Sequence, residues 1–161
     1  MTDQESGRSS GGPSEDSAWE AGSGRALISL AVLRLIEDAV GQPFPADYLE
    51  VIRTRNAAYF ERQDFPVGTP DGPEERSVAV LLSADGDETD AESVLSQWRT
   101  LQDEHGFGPR VVPFGMDGGG NLVCFDFSAA GNPAVVSWQH DEAWEPIRVA
   151  ESFAAFLERL S

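Results

Sequence analysis

Lysine is absent from this chain of 161 residues, and basic residues of any kind are few. All 11 basic residues are arginines, against 28 acidic residues, which gives a formal net charge of −17 at pH 7. A surface of this sign repels the phosphates of nucleic acids and of anionic membranes. We therefore predict that the protein binds neither and that it attracts a basic protein partner. The alternative, that the charge serves solubility alone, stays open at this point.

Cysteine is nearly absent as well, since Cys124 is the single example. One thiol excludes an internal disulfide framework and any cysteine-based zinc cluster. Cys124 lies in a segment rich in β-branched and aromatic residues, so we interpret it as a small buried residue of a strand. A catalytic thiol is the alternative.

Long hydrophobic runs are also missing. The most apolar run, residues 26–36, is far too short to span a bilayer. It follows an acidic segment rather than a basic one, so the pattern does not fit a signal peptide. We predict a cytoplasmic protein.

Residues with catalytic or metal-binding chemistry are sparse and lack the spacing that such sites need. The two histidines, His105 and His140, have no motif neighbours, and no H-E-x-x-H pattern occurs. No lysine follows the glycines at residues 118–120, so they are not a phosphate loop. The acidic cluster at residues 85–92 has Asp90 where a calcium loop needs glycine. We predict no enzyme activity, no metal and no cofactor, although a Ser-His-Asp triad is a spatial arrangement and stays open.

The first 24 residues are rich in serine, glycine and acidic residues, and Trp19 is their only large aromatic side chain. A segment of this composition buries too little apolar surface to offset the entropy of ordering it. We predict a disordered acidic tail over residues 1–24, whose deletion leaves folding and binding intact. The folded domain is predicted over residues 25–161.

Apolar periodicity and turn residues divide the rest of the chain into helices and strands. We predict helices over residues 25–40, 45–56, 89–105 and 152–160, and strands over residues 77–82, 110–114, 122–127 and 133–139. Residues 65–76 hold three prolines and two glycines and are predicted to be a loop. The third helix is predicted to begin with a capping box formed by Thr89 and Glu92. This order indicates a single α+β domain, an antiparallel β-sheet with flanking N-terminal, central and C-terminal helices.

The clearest local pattern is a β-hairpin around three consecutive glycines. Its predicted loop, residues 115–120, contains glycines that adopt positive φ at little cost. Apolar segments at residues 110–114 and 122–127 flank the loop, which is longer than a two-residue turn. We expect the other elements to pack around this hairpin.

Several of these segments, in this order, resemble the SUKH superfamily of Smi/Knr cell-wall regulators and their bacterial relatives. The resemblance spans roughly residues 25–161. The matching segments are Pro43-Phe44-Pro45-Ala46-Asp47-Tyr48, Val112-Pro113-Phe114, the Asp117-to-Asn121 turn with the strand after it, and Val149-Ala150-Glu151-Ser152-Phe153-Ala154-Ala155-Phe156-Leu157. Two features depart from the family pattern. Asn56 precedes Ala57 where the family often has Asn-Gly, and the segment at residues 89–105 is longer than expected.

The resemblance implies a non-catalytic binding domain with a SUKH-like fold. Bacterial relatives are mostly immunity proteins that bind and block the toxic domain of a polymorphic toxin, often a nuclease. The matched residues are expected to shape the fold rather than to contact a partner. They are Pro45, Tyr48, Asp126, Ser152 and Phe153.

The charge and the resemblance together suggest a protein that neutralises a cognate basic toxin domain through acidic loops. The candidate partner-binding residues are the loop acids near aromatic side chains, with one of those aromatics: Asp117, Asp141, Glu142, Trp144 and Glu145. A constitutive interaction scaffold or regulator of Smi/Knr type is the alternative, and a small hydrolase with a spatially assembled site is a weaker third. The oligomeric state does not follow from the sequence.

Overall fold

Two antiparallel sheets and four helices make up the part of the chain that the computed structural model describes, which is residues 18–85, 89–142 and 145–161. The elements are α1 (Ala31–Val40), α2 (Ala46–Arg55), β1 (Asp64–Thr69), β2 (Gly72–Ser77), β3 (Val80–Leu81), α3 (Val94–His105), β4 (Val111–Met116), β5 (Leu122–Asp126), β6 (Ala134–Trp138), β7 (Ile147–Ala150) and α4 (Phe153–Glu158). Strands β3 to β7 follow one another in a five-stranded sheet, and β1 pairs with β2. The predicted α+β class, with an antiparallel sheet and flanking helices, is confirmed.

The predicted hairpin is present as β4 and β5. Val112 lies opposite Phe125 and Met116 lies opposite Leu122, and the register shifts between Pro113 and Gly115. The shift places the proline, which has no N–H to donate, beside an irregularity in the ladder. A Cβ atom at Gly115 would lie 2.8 Å from a methyl group of Val78, so any larger residue there would force Val78 to shift.

An aromatic cluster on one face of the sheet joins the hairpin to α2 and α4. The rings of Phe114 and Phe125 lie 4.4 Å apart, and Tyr48 of α2 lies 5.1 Å from Phe125. Phe153 of α4 lies 5.4 Å from Phe114. All four side chains are at most 1% exposed. Edge-to-face aromatic contacts add to the free energy gained from burying their apolar area.

The opposite face of the sheet is covered by α3 and the segment after it. Leu101 of α3 packs there in a cluster with the buried strand residues Val111, Leu122, Cys124, Val136 and Trp138. Trp138 packs against Phe107 at 5.6 Å and against His105 at 4.6 Å. Both faces of the central strands are therefore covered, which explains why the sequence of β5 is almost continuously apolar.

The first helix is shorter than predicted, because residues 25–30 are not helical. Arg25 exchanges backbone hydrogen bonds with Asn56, each 2.9 Å long. The Asp85 carboxylate accepts hydrogen bonds from the Ile28 N–H at 2.9 Å and from the Asn56 side chain at 2.7 Å. These contacts hold the segment away from helical geometry and leave Ile28 83% exposed.

The region predicted to be a loop, residues 65–76, is instead the hairpin of β1 and β2. Phe65 and Val67 are buried, and the residues between and beside them are exposed. The centres of the Phe65 and Phe156 rings lie 5.3 Å apart. Prolines are tolerated because this is a two-stranded ribbon rather than the centre of a sheet. The prediction of a loop was wrong because it rested on the three prolines, whereas the alternation of apolar and polar residues around Phe65 and Val67 is typical of a strand. Strand β7 was also missed.

The predicted start of α3 was wrong as well. Its N-cap is Ser93, whose Oγ accepts a hydrogen bond from the Ser96 N–H at 3.1 Å. Backbone bonds on either side of the cap, Ser83 N–H to Glu92 O and Val94 N–H to Ser83 O, are both 2.8 Å long. These bonds fix the start of the helix at Val94 rather than near Thr89.

The N-terminal boundary also needs correction, because residues 18–24 pack on the domain. Trp19 is 4% exposed and its ring lies 4.6 Å from that of Phe60. Backbone hydrogen bonds join Glu61 N–H to Ala18 O at 2.7 Å and Glu20 N–H to Tyr59 O at 2.9 Å. The remainder of the predicted tail, residues 1–17, lies outside the described residues.

We therefore expect two truncations to behave differently. Deleting residues 1–24 removes the packing of Trp19, which should lower the melting temperature by on the order of 10 °C, since truncating a buried Trp costs about 3–5 kcal/mol. Deleting residues 1–17 should leave the melting temperature unchanged. Differential scanning fluorimetry of both truncations and of full-length Trp19→Ala tests this. Equal melting temperatures for the two truncations would contradict it.

A second prediction concerns Ala57, which adopts φ 63° although it is not glycine. A Cβ atom in this left-handed conformation costs about 1–2 kcal/mol. Ala57→Gly removes this cost, but the glycine also gives the unfolded chain more conformational freedom, which offsets part of the stabilisation. The substitution should therefore raise the free energy of unfolding by about 0.5–1 kcal/mol. Urea denaturation measures the change. Ala58→Gly is the matched control and should destabilise, because Ala58 is fully buried.

Candidate binding surface at the acidic end

Four of the five predicted partner-binding residues are described, and they lie at one end of the five-stranded sheet: Asp117, Asp141, Glu142 and Glu145. Leu122 pairs with both Met116 and Trp138, and Ser137 pairs with Ile147. The β4–β5 loop and the β6–β7 connector therefore leave the sheet at the same end. We call this surface the acidic end and define it as residues 117–121, 139–142 and Glu145.

His140 joins the two segments of the acidic end. Its backbone N–H donates to Asn121 Oδ1 at 3.1 Å, and its ring Nε2 lies 3.0 Å from the carbonyl oxygen of Gly119. Gly120 adopts φ 86°, which lets the loop turn beneath the imidazole. Asp117 and the connector acids are thus parts of one surface rather than of separate loops.

Asp117 organises the loop from within. Its Oδ1 accepts hydrogen bonds from the N–H groups of Gly119 at 2.9 Å and of Asn121 at 2.8 Å, and its Oδ2 accepts one from the Asn121 side chain at 3.0 Å. This is the typical arrangement of an aspartate that closes a turn. Contact between Asp117 and a partner stays a prediction, and the structure gives the carboxylate this internal role.

Glu142 is also engaged inside the protein. Its Oε2 accepts a hydrogen bond from Arg76 Nη2 at 3.1 Å, and the side chain is 23% exposed. Arg76 lies on β2 and its side chain is only 3% exposed. Its guanidinium also donates to Glu74 Oε2 at 2.7 Å and to Ser137 Oγ at 2.9 Å. The sequence does not predict a buried arginine with three partners, because the prolines of the segment that carries it indicate a loop.

Asp141 and Glu145 are the acids of this end that point to solvent. Both residues are exposed, and no hydrogen bond or ion pair engages either carboxylate within the described part of the chain. Trp144 was predicted to accompany them and lies outside the described residues. Of the predicted site, two carboxylates are therefore free for a partner and two support the fold.

The described residues offer little catalytic chemistry. Cys124 is fully buried, and burial, with a smaller effect from the Asp126 carboxylate, raises the pKa of its thiol. A nucleophilic cysteine needs the opposite, an accessible thiol of lowered pKa. Across residues 18–85, 89–142 and 145–161, no three or more His, Cys, Asp or Glu side chains are placed to hold a metal ion. The same residues form no helix that is long and apolar enough to cross a membrane.

A comparison with known families now identifies the domain. A family model described as SMI1-KNR4 cell-wall, SUKH_6, matches residues 31–157, from the start of α1 into α4. The chain belongs to the SUKH family. No curated protein matches the chain. The SUKH match includes the whole of the acidic end and leaves residues 18–30 outside, although they pack on the domain.

Residues shared with the SUKH pattern have structural roles here, as the resemblance implied. Tyr48 is fully buried and Phe153 is 1% exposed in the aromatic cluster. Ser152 caps α4 by accepting a hydrogen bond from the Ala155 N–H at 3.0 Å, and Asp126 accepts one from the Ser128 N–H at 2.9 Å. Asp47 of the same motif accepts a hydrogen bond from the Ala154 N–H at 3.0 Å.

The loop-closing role of Asp117 gives a direct prediction. Asp117→Ala leaves the N–H groups of Gly119 and Asn121 without their acceptor, so the free energy of unfolding should fall by about 1–3 kcal/mol. Asp141→Ala removes an exposed carboxylate and should change it by less than about 0.5 kcal/mol. Urea denaturation of both variants measures the difference. Equal values would contradict the role assigned to Asp117.

Proposed function

We propose that this SUKH protein is a non-catalytic immunity protein that binds and neutralises a basic toxin domain through the acidic end. The observation that carries the proposal is the pair of exposed carboxylates on Asp141 and Glu145, which no other described residue engages, within a strongly acidic SUKH domain. A nuclease suits the proposal, because carboxylates would occupy the positions where its basic residues bind phosphate. The binding takes place in the cytoplasm.

The charge of the protein gives this interaction a kinetic advantage. A net charge of −17 attracts a cationic domain over long range and raises the rate of association. Speed matters for an immunity protein, since each free toxin molecule acts until it is bound. Charges at the rim of an interface act mainly on association and its salt dependence, so the acidic end fits this role.

A second candidate is a constitutive scaffold or regulator of Smi/Knr type. The description of the matching family, SMI1-KNR4 cell-wall, favours it. In that case the same surface binds a host protein, and no toxin is involved.

Affinity capture separates the two candidates. The tagged protein is incubated with lysate of its own cells at low and at high salt, and the retained proteins are identified by mass spectrometry. The immunity proposal predicts one basic protein that is lost at high salt, is toxic when expressed alone, and is harmless when co-expressed with this chain. Housekeeping proteins retained at both salt concentrations would favour the scaffold instead.

The captured toxin domain then tests the surface itself. Asp141→Arg combined with Glu145→Arg should weaken binding by about tenfold or more, mostly through slower association. Asp38→Arg combined with Glu50→Arg is the matched control, because it changes the net charge equally at exposed positions of α1 and α2. Surface plasmon resonance measures both rate constants. An equal loss of affinity in the two double variants would show that net charge, rather than the acidic end, governs binding.

A further inference from the structure

We propose that Arg76 is the positioning residue of the acidic end: its guanidinium holds Glu142 and thereby orients the adjacent Asp141 for the partner. The inference rests on the proposed function for its binding consequence. Its structural part, that Arg76 orders the connector, is independent of any partner.

The geometry of Arg76 ties three parts of the chain together. Its Nε donates to Glu74 on the same strand at 2.7 Å, its Nη1 to Ser137 of β6 at 2.9 Å, and its Nη2 to Glu142 of the connector at 3.1 Å. With its amide turned to donate to Glu142 Oε1 at 3.2 Å, Gln139 also accepts a hydrogen bond from Arg76 Nε at 3.1 Å. Every donor nitrogen of the guanidinium therefore has a partner.

Burial makes these bonds more effective than surface ion pairs. The Arg76 side chain is 3% exposed, so water competes little for its donors. One cation is shared by two carboxylates, Glu74 and Glu142. Without the guanidinium the two acids would be left close together, and the connector could lower the repulsion only by moving away.

Glu142 therefore acts through the fold rather than by contacting the partner. Its side chain is 23% exposed and already bonded, whereas Asp141 next to it is exposed. A binding group held by a rigid neighbour loses less entropy on association. Arg76 supplies that rigidity from a strand that itself contributes no residue to the acidic end.

The sign of the effect separates positioning from simple electrostatics. Arg76→Met makes the protein more negative, so long-range attraction alone predicts equal or tighter binding to a basic domain. A freed Glu142 that contacted the partner directly would also tighten binding. The positioning role predicts the opposite, a weaker complex.

The first experiment needs no partner. Amide hydrogen exchange is measured by mass spectrometry on the full chain and on Arg76→Met, Glu142→Ala and Arg110→Met. Peptides that cover residues 139–142 should exchange about tenfold faster in the first two variants, while β5 keeps its protection. Arg110→Met is the matched control, since Arg110 donates to the Phe127 carbonyl oxygen at the other end of β5 and its loss removes the same charge. Unchanged exchange over residues 139–142 in Glu142→Ala would overturn the inference.

The second experiment uses the toxin domain identified by affinity capture. Arg76→Met and Glu142→Ala should each weaken binding by about tenfold, and the double variant should be no weaker than either alone, because both changes break one network. If Arg76→Met does not fold, Glu142→Ala carries the test, since it leaves Arg76 bonded to Glu74 and Ser137. Binding by Arg76→Met as tight as that of Arg110→Met would overturn the positioning role. Failure of the unaltered chain to bind any basic protein would instead refute the proposed function, and the exchange experiment alone would then decide whether Arg76 orders the connector.

Discussion

The pairing of β4 with β5 is the interaction on which the rest of the structure depends. One face of this hairpin carries Phe114 and Phe125, whose rings lie 4.4 Å apart and receive the aromatic residues of α2 and α4. The other face carries Leu122 and Cys124 beneath α3. The loop that joins the two strands is also half of the acidic end, so the same pairing that builds the core sets the position of the proposed binding surface.

The sequence was most informative where local patterns and tertiary packing agree. The hairpin, the proline start of α2 and the amphipathic α4 follow from residue spacing and capping, and the structure confirms them. It was least informative where distant contacts decide. The Asp85 carboxylate draws residues 25–30 out of a helical pattern, and the packing of Phe65 on Phe156 makes a hairpin from a proline-rich segment. Neither contact is visible in the neighbouring residues, although the apolar alternation of Phe65 and Val67 is a local indication of the strand.

The acidic end shows the same division. Sequence reasoning found its acids because they lie on loops beside aromatic residues, yet it could not separate those bonded internally from those free for a partner. Asp117 closes its own loop and Glu142 binds a buried arginine 66 residues away in sequence. Net charge alone gives no information on this distinction, which depends on hydrogen-bond partners that only the fold reveals. The consequence for engineering is that Asp141 and Glu145 are the acids to change first.

The central claim, that a basic toxin domain binds at the acidic end, is tested most directly by mapping protection from amide exchange in the complex. The account predicts that binding slows exchange over residues 117–121 and 139–147, and leaves the exposed surfaces of α1 and α2 unchanged. Protection confined to α1, α2 or the segment around Ile28, with none at the acidic end, would contradict it.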